Sequence, residues 1–245
     1  MSSTSETGHA RNVGNLRTLI VFVESLGEKY RPGNSIIRID TLNNLAHLSN
    51  ESIKAVNAAE VSYIKAVGSR QAAFKPLSKL ASRIVNALVS SNPGKRTVDA
   101  ATALNRKISG RSLAKKAVVE KETLEAGGKP AGRASTSQMS YDMRIENFNK
   151  LILLLRETPQ YAPNEEDLTV SALQNLIESL AAENNNVARY SAPLVNLRIR
   201  RNAVIYAPEA GIPDSAMAVK SYIKSIYGAS SAEYKTISKL KFTRN

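Results

Sequence analysis

A chain of 245 residues with 42% hydrophobic and 22% charged side chains is long enough to bury a core, and its sparse aromatics (4 Phe, 9 Tyr, no Trp) suit helices better than a β-sandwich. The absence of cysteine excludes disulfides, thiolate catalysis and cysteine-based metal sites. A formal net charge of +13 favours polyanionic partners without selecting one.

Residues 1–11 read as a polar leader rich in Ser and Thr, without the basic-then-apolar pattern of an export signal. The most apolar runs, Leu19 to Val23 and Leu151 to Leu155, fall far short of a bilayer span. The expectation is a cytoplasmic protein with no membrane contact.

Residues 12–90 form the first of two helical segments. Leu16, Leu19, Ile20, Val23 and Leu26 recur at helical spacing and predict a helix over Val13 to Gly27. A Tyr-x-Pro turn follows at Tyr30 and Pro32, where proline fixes φ and pushes its predecessor out of the helical region. From Ile39 to Phe74 apolar positions alternate by three and four, weakened at Ser49 and Asn50, so this stretch is one kinked helix or two shorter ones. A last helix covers about Ser78 to Val89.

Residues 91–140 contain no aromatic side chain and open with the turn Asn92-Pro93-Gly94. They read as a basic connector carrying modest helices near Val98 to Lys107 and Leu113 to Glu125. Ten basic and four acidic residues give this fifth of the chain nearly half of the excess charge.

Residues 141–245 repeat the first pattern. A helix over Asp142 to Glu157 buries Ile145, Phe148, Leu151, Ile152 and Leu155, and Tyr161 and Pro163 repeat the turn. A long stretch from Val170 to Ile205 is interrupted at Asn184 to Asn186 and at Pro193. A helix over Ala216 to Tyr227 and a C-terminal helix follow, the latter opened by Ser230 and Glu233 as a capping box. The ordered matches fall about 131 residues apart: Asn15 with Asn147, Tyr30 with Tyr161, Leu42 with Leu173, Arg70 with Arg201, Pro76 with Pro208. The expected fold is all-α, with two tandem copies of a helical hairpin or bundle unit joined by the basic connector and an extra C-terminal helix.

Catalytic patterns are missing. His9 and His47 are isolated and lack metal-ligand spacing, so both are expected to be exposed or partly packed. Ser62/Lys65, Ser112/Lys115 and Ser221/Lys224 show the Ser-x-x-Lys spacing, at the frequency chance supplies in a Ser- and Lys-rich chain. Gly94-Lys95 lacks the strand and first glycine of a phosphate loop. Glu165, Glu166 and Asp167 precede an apolar helix face and are expected to favour its N-terminus. Arg198, Arg200, Arg201 and Tyr206 resemble the set of a strand-transfer enzyme without its histidine. Tyr30 and Tyr161 are expected to pack on the helical hairpin and reach a free carbonyl. No enzyme, cofactor, metal or small-molecule substrate is indicated.

The basic residues remain. Lys95, Arg96, Arg106, Lys107, Arg111, Lys115, Lys116 and Arg133 in the connector, with Arg198, Arg200 and Arg201 on the last long helix, are the candidate nucleic-acid contacts. Aromatics are absent among them, which argues against base stacking.

The run Gln138 to Phe148, the segment Tyr161 to Glu165 and the motif Arg106 to Arg111 resemble parts of duplicated helical proteins of Bacteroidetes-type bacteria. No activity is attached to that group. The resemblance implies a bacterial, non-secreted origin and transfers no functional residue. The expected role is non-catalytic, sequence-nonspecific binding of nucleic acid through the connector. The alternative is a self-assembling structural subunit of a filament, shell or ring, including a coat on nucleic acid. Both fit a homo-oligomer, since two similar halves present two similar surfaces.

Overall fold

A computed structural model of the chain describes residues 4–110 and 140–244. Every regular element among them is helical and none is a strand. The α-helices are α1 (Thr4–Ser25), α2 (Ile39–Phe74), α3 (Leu77–Ser90), α4 (Lys95–Ser109), α5 (Tyr141–Arg156), α6 (Val170–Ile205), α7 (Ile212–Tyr227) and α8 (Ala232–Ser238). No described helix is long and apolar enough to cross a membrane.

Helix α1 starts well ahead of its apolar pattern, so the polar leader is helical from Thr4. Polar side chains extend it by burying themselves in specific bonds. His9 is 1% exposed and its Nδ1 lies 2.7 Å from the Tyr206 hydroxyl. Asn12 is fully buried: its amide donates to the Thr243 carbonyl at 2.8 Å, and its oxygen accepts the Thr243 N–H at 3.0 Å. Apolar periodicity cannot register such contacts.

Both long stretches are single helices of 36 residues, about 54 Å each at 1.5 Å per residue. Ser49 is buried inside α2 without breaking it. In α6, Asn184 fits because its side chain bridges Arg70 and Asp142. Pro193 sits on an exposed face, where water can take up the carbonyl that the missing N–H leaves open. At the end of the chain the cap is Ser231, whose hydroxyl accepts the Tyr234 N–H; Ser230 does not fill that role.

The chain divides into two compact units, one of residues 1–63 and 190–245 and one of residues 64–189. These boundaries cut across the 12–90 and 141–245 segments of the sequence pattern, because each long helix gives its first part to one unit and its last part to the other. The first unit buries Leu16, Leu19 and Val23 of α1, Leu42 of α2, Ile205 of α6, and Ile212, Ala216, Val219 and Ile223 of α7. The second buries Phe74, Ala81, Ile84 and Leu88, Ile108 of α4, Phe148, Leu151 and Ile152 of α5, and Leu173 and Leu180 of α6.

Each unit holds one tyrosine turn. The Tyr30 hydroxyl donates to the Ile37 carbonyl at 2.6 Å, and the Tyr161 hydroxyl to the Leu168 carbonyl at 2.8 Å, both seven residues on. Burial raises both phenol pKa values, that of Tyr161 to about 12. The turn before α7 requires glycine at 211, where a Cβ would lie 2.6 Å from the Ala207 nitrogen.

Candidate nucleic-acid interface

The turn at Asn92 to Gly94 runs into α4 with positive φ at both Asn92 and Gly94. Ala101 and Ile108 are buried, and Leu104 packs against the same core, so this face anchors the helix. The Asn105 amide adds a bond to the Ser82 hydroxyl of α3 at 3.3 Å. Gly110, in the left-handed region, ends it. The first of the two modest helices expected in the connector is thus a packed element of the second unit, and the second, near Leu113 to Glu125, lies outside the described residues.

Packing leaves Lys95, Arg96, Arg106 and Lys107 exposed, with Asp99 as the helix's single acid. Arg106 and Lys107 complement the negative end of the helix dipole. Lys95 and Arg96 do the opposite: they place two cations in the first turn, which contains no acidic residue. Helix stability does not explain that pair. Residues 64–110 hold nine Lys and Arg side chains against Asp99 alone, so the basic stretch begins in α2 and extends through α3 and α4. Arg83 of α3 is committed, making bonds of 2.5 and 3.2 Å to the two oxygens of Asp167. That contact holds the Asp167 carboxyl below its ordinary range. Of the acidic trio, Asp167 therefore meets α3. The cap of α6 is Thr169, whose hydroxyl accepts the Ala172 N–H.

Arg111, Lys115, Lys116 and Arg133 lie outside the described residues. The cluster of Arg198, Arg200 and Arg201 is dispersed by the helix. Arg198 pairs with Glu60 at 3.1 Å, Arg201 is 4% exposed and bonded to the Asn202 side chain, and Arg200 faces solvent. Arg200 is thus the exposed member of that trio.

The histidine missing beside Tyr206 in the sequence is supplied by His9, far away in the chain. The two rings are tilted with centroids 5.5 Å apart. Burial of His9 and Arg201 makes this a contact of the core. His47 is exposed. Among the described residues no group of three His, Asp or Glu side chains could hold a metal ion.

The described residues form an all-α protein in which α4 exposes a basic face. No known family model, curated protein or solved structure matches the chain.

Proposed function

We propose that the chain is a non-catalytic, sequence-nonspecific nucleic-acid-binding protein of the cytoplasm, and that the exposed face of α4 is its phosphate-contacting element. The observation that carries this reading is the pairing of Lys95 and Arg96 in a helix turn where the dipole disfavours them. Residues that work against helix stability are explained by a polyanionic partner that repays them.

The finer architecture belongs to the same reading: the chain is two copies of one helical unit. Helices α2 and α6 have equal length and start 131 residues apart, and the tyrosine turns share that spacing. The ring pairs Tyr141–Phe74 and His9–Tyr206 match at a spacing of 132. A second role, assembly with further copies, is favoured by Val195 and Ile199, which are 49% and 62% exposed one turn apart on α6.

Titration of the nuclease-treated chain into labelled duplex DNA and single-stranded RNA tests the first role. The variant Lys95→Glu, Arg96→Glu, Arg106→Glu, Lys107→Glu is expected to weaken binding at least tenfold. Its slope of log affinity against log salt should fall by about 0.9 for each duplex phosphate that is no longer neutralised. Absence of binding by the wild-type chain at low salt overturns the role and leaves assembly, read from the solution mass.

A further inference from the structure

The two units differ at one position in a way that describes a ligand. In the unit of residues 1–63 and 190–245, α7 buries Ile212, Ala216, Val219 and Ile223; in the other, α3 buries Leu77, Ala81, Ile84 and Leu88 at the same spacing. The residue before Ile223 is Tyr222, and the residue before Leu88 is Ala87. Tyr222 lays its ring edge-on against Tyr30, with centroids 5.4 Å apart and planes at 81°. Its hydroxyl accepts the Arg31 N–H at 3.2 Å. The ring thereby closes the space between helix and tyrosine turn.

Ala87 has no ring to offer. In its place is an open cleft of about 640 Å³, lined by Ala87, Ala162, Pro163 and Leu168 together with polar and charged side chains that include Arg83 and Glu165. Tyr161 and Ala162 stand in its turn as Tyr30 and Arg31 stand in the other. The Ala162 N–H has no hydrogen-bond partner among the described residues. Ala162 is exposed, and an acceptor oxygen in the cleft would meet its N–H as the Tyr222 hydroxyl meets the Arg31 N–H.

We infer that the cleft between Ala87 and the turn at Tyr161 is a binding site for a phenolic ring, whose oxygen accepts the Ala162 N–H. The inference does not rest on nucleic-acid binding, which uses the exposed face of α4. The ring comes from a small phenol or from a tyrosine side chain on a partner peptide. The recognition chemistry is the same for both.

The test uses the full chain, isotopically labelled, titrated with p-cresol and separately with N-acetyl-tyrosinamide while the Ala162 amide resonance is followed. A saturable shift is expected, weakened at least tenfold for benzyl alcohol, which lacks the phenolic oxygen. Ala87→Leu should project into the cleft beside the turn and weaken binding at least tenfold; Ala87→Val serves if the larger residue is not accommodated. Tyr222→Ala should open the matching site, so that the Arg31 amide also shifts. Saturation by p-cresol alone identifies a small phenol, and saturation by N-acetyl-tyrosinamide as well admits a presented side chain. The inference is overturned if the Ala162 amide stays unmoved at concentrations that saturate Arg31 in Tyr222→Ala. Unchanged binding in the Ala87 variants also overturns it.

Discussion

The unit of residues 1–63 and 190–245 and the unit of residues 64–189 each pack a tyrosine turn against helices, with different chemistry beside it. Where the first joins its ring pair by a hydrogen bond, His9 to Tyr206, the second packs Tyr141 edge-on against Phe74 at 4.8 Å and lays the Arg70 guanidinium 4.0 Å over the Tyr141 ring. The first unit fills the space beside its tyrosine turn with Tyr222, and the second leaves a cleft. The contrast teaches that the frame is held by aliphatic spacing and the tyrosine-to-carbonyl bond. The positions around them exchange polar for apolar contacts.

The largest test of this comparison removes core volume from one unit at a time. Phe148→Ala should destabilise the chain by about 3–5 kcal/mol and Leu16→Ala by about 2–5 kcal/mol in denaturant titrations, since both side chains are fully buried. Hydrogen exchange should rise first in α3 to α5 for Phe148→Ala and first in α1 and α7 for Leu16→Ala. Identical exchange patterns for the two variants would mean that the units open together.

Asn12→Ala acts on the first unit alone, where it frees the Thr243 N–H and carbonyl. A loss of about 1–3 kcal/mol is expected, with faster proteolysis after Leu240. An unchanged cleavage rate would show that the C-terminal segment is held by other contacts.

Tyr30→Phe and Tyr161→Phe each strip a donor from a buried carbonyl, at an expected cost of about 1–3 kcal/mol. Similar losses would support a common role; a much smaller loss for one would break the parity of the turns. Their titration gives a second reading. Burial first, then Glu165 and Asp167, push the Tyr161 phenol up to about 12; burial first, then Tyr222, raises Tyr30 further. The folded state therefore binds more protons than the unfolded state above the ordinary phenol value of about 10. This stability is complete below about pH 10 and is lost as pH rises through 12. Each Phe variant should flatten that decline in urea midpoints measured from pH 9 to 12.

Arg83→Ala is the smallest perturbation. Both partners of its ion pair are more than half exposed, so the melting temperature should stay within measurement error. The Asp167 carboxyl should rise toward its ordinary value, as followed by carbon NMR.

Much of the frame was legible. The apolar spacing of α1, α3, α5 and α7 marks helices because apolar residues three and four apart share a face whatever surrounds them. The tyrosine turns were legible because proline fixes the backbone locally. The basic face of α4 was visible only as composition: spacing names its charges, whereas the packing of Ala101 and Ile108 decides that they point outward. The arginine run divides for the same reason, since Arg198 and Arg201, three residues apart, share the inward side of α6 while Arg200 faces solvent.

The sequence by itself determined the helical class, the turns and the excess of positive charge, because these follow from local backbone preference and composition. Tertiary structure alone decided that the leader is helical, that Asn184 and Pro193 are carried inside one unbroken helix, and that His9 meets Tyr206. It also decided that Tyr222 closes one turn while Ala87 leaves the other open. Each of these depends on partners distant in the chain, and the free energy of satisfying a buried polar group or filling a core is set by what folding brings beside it.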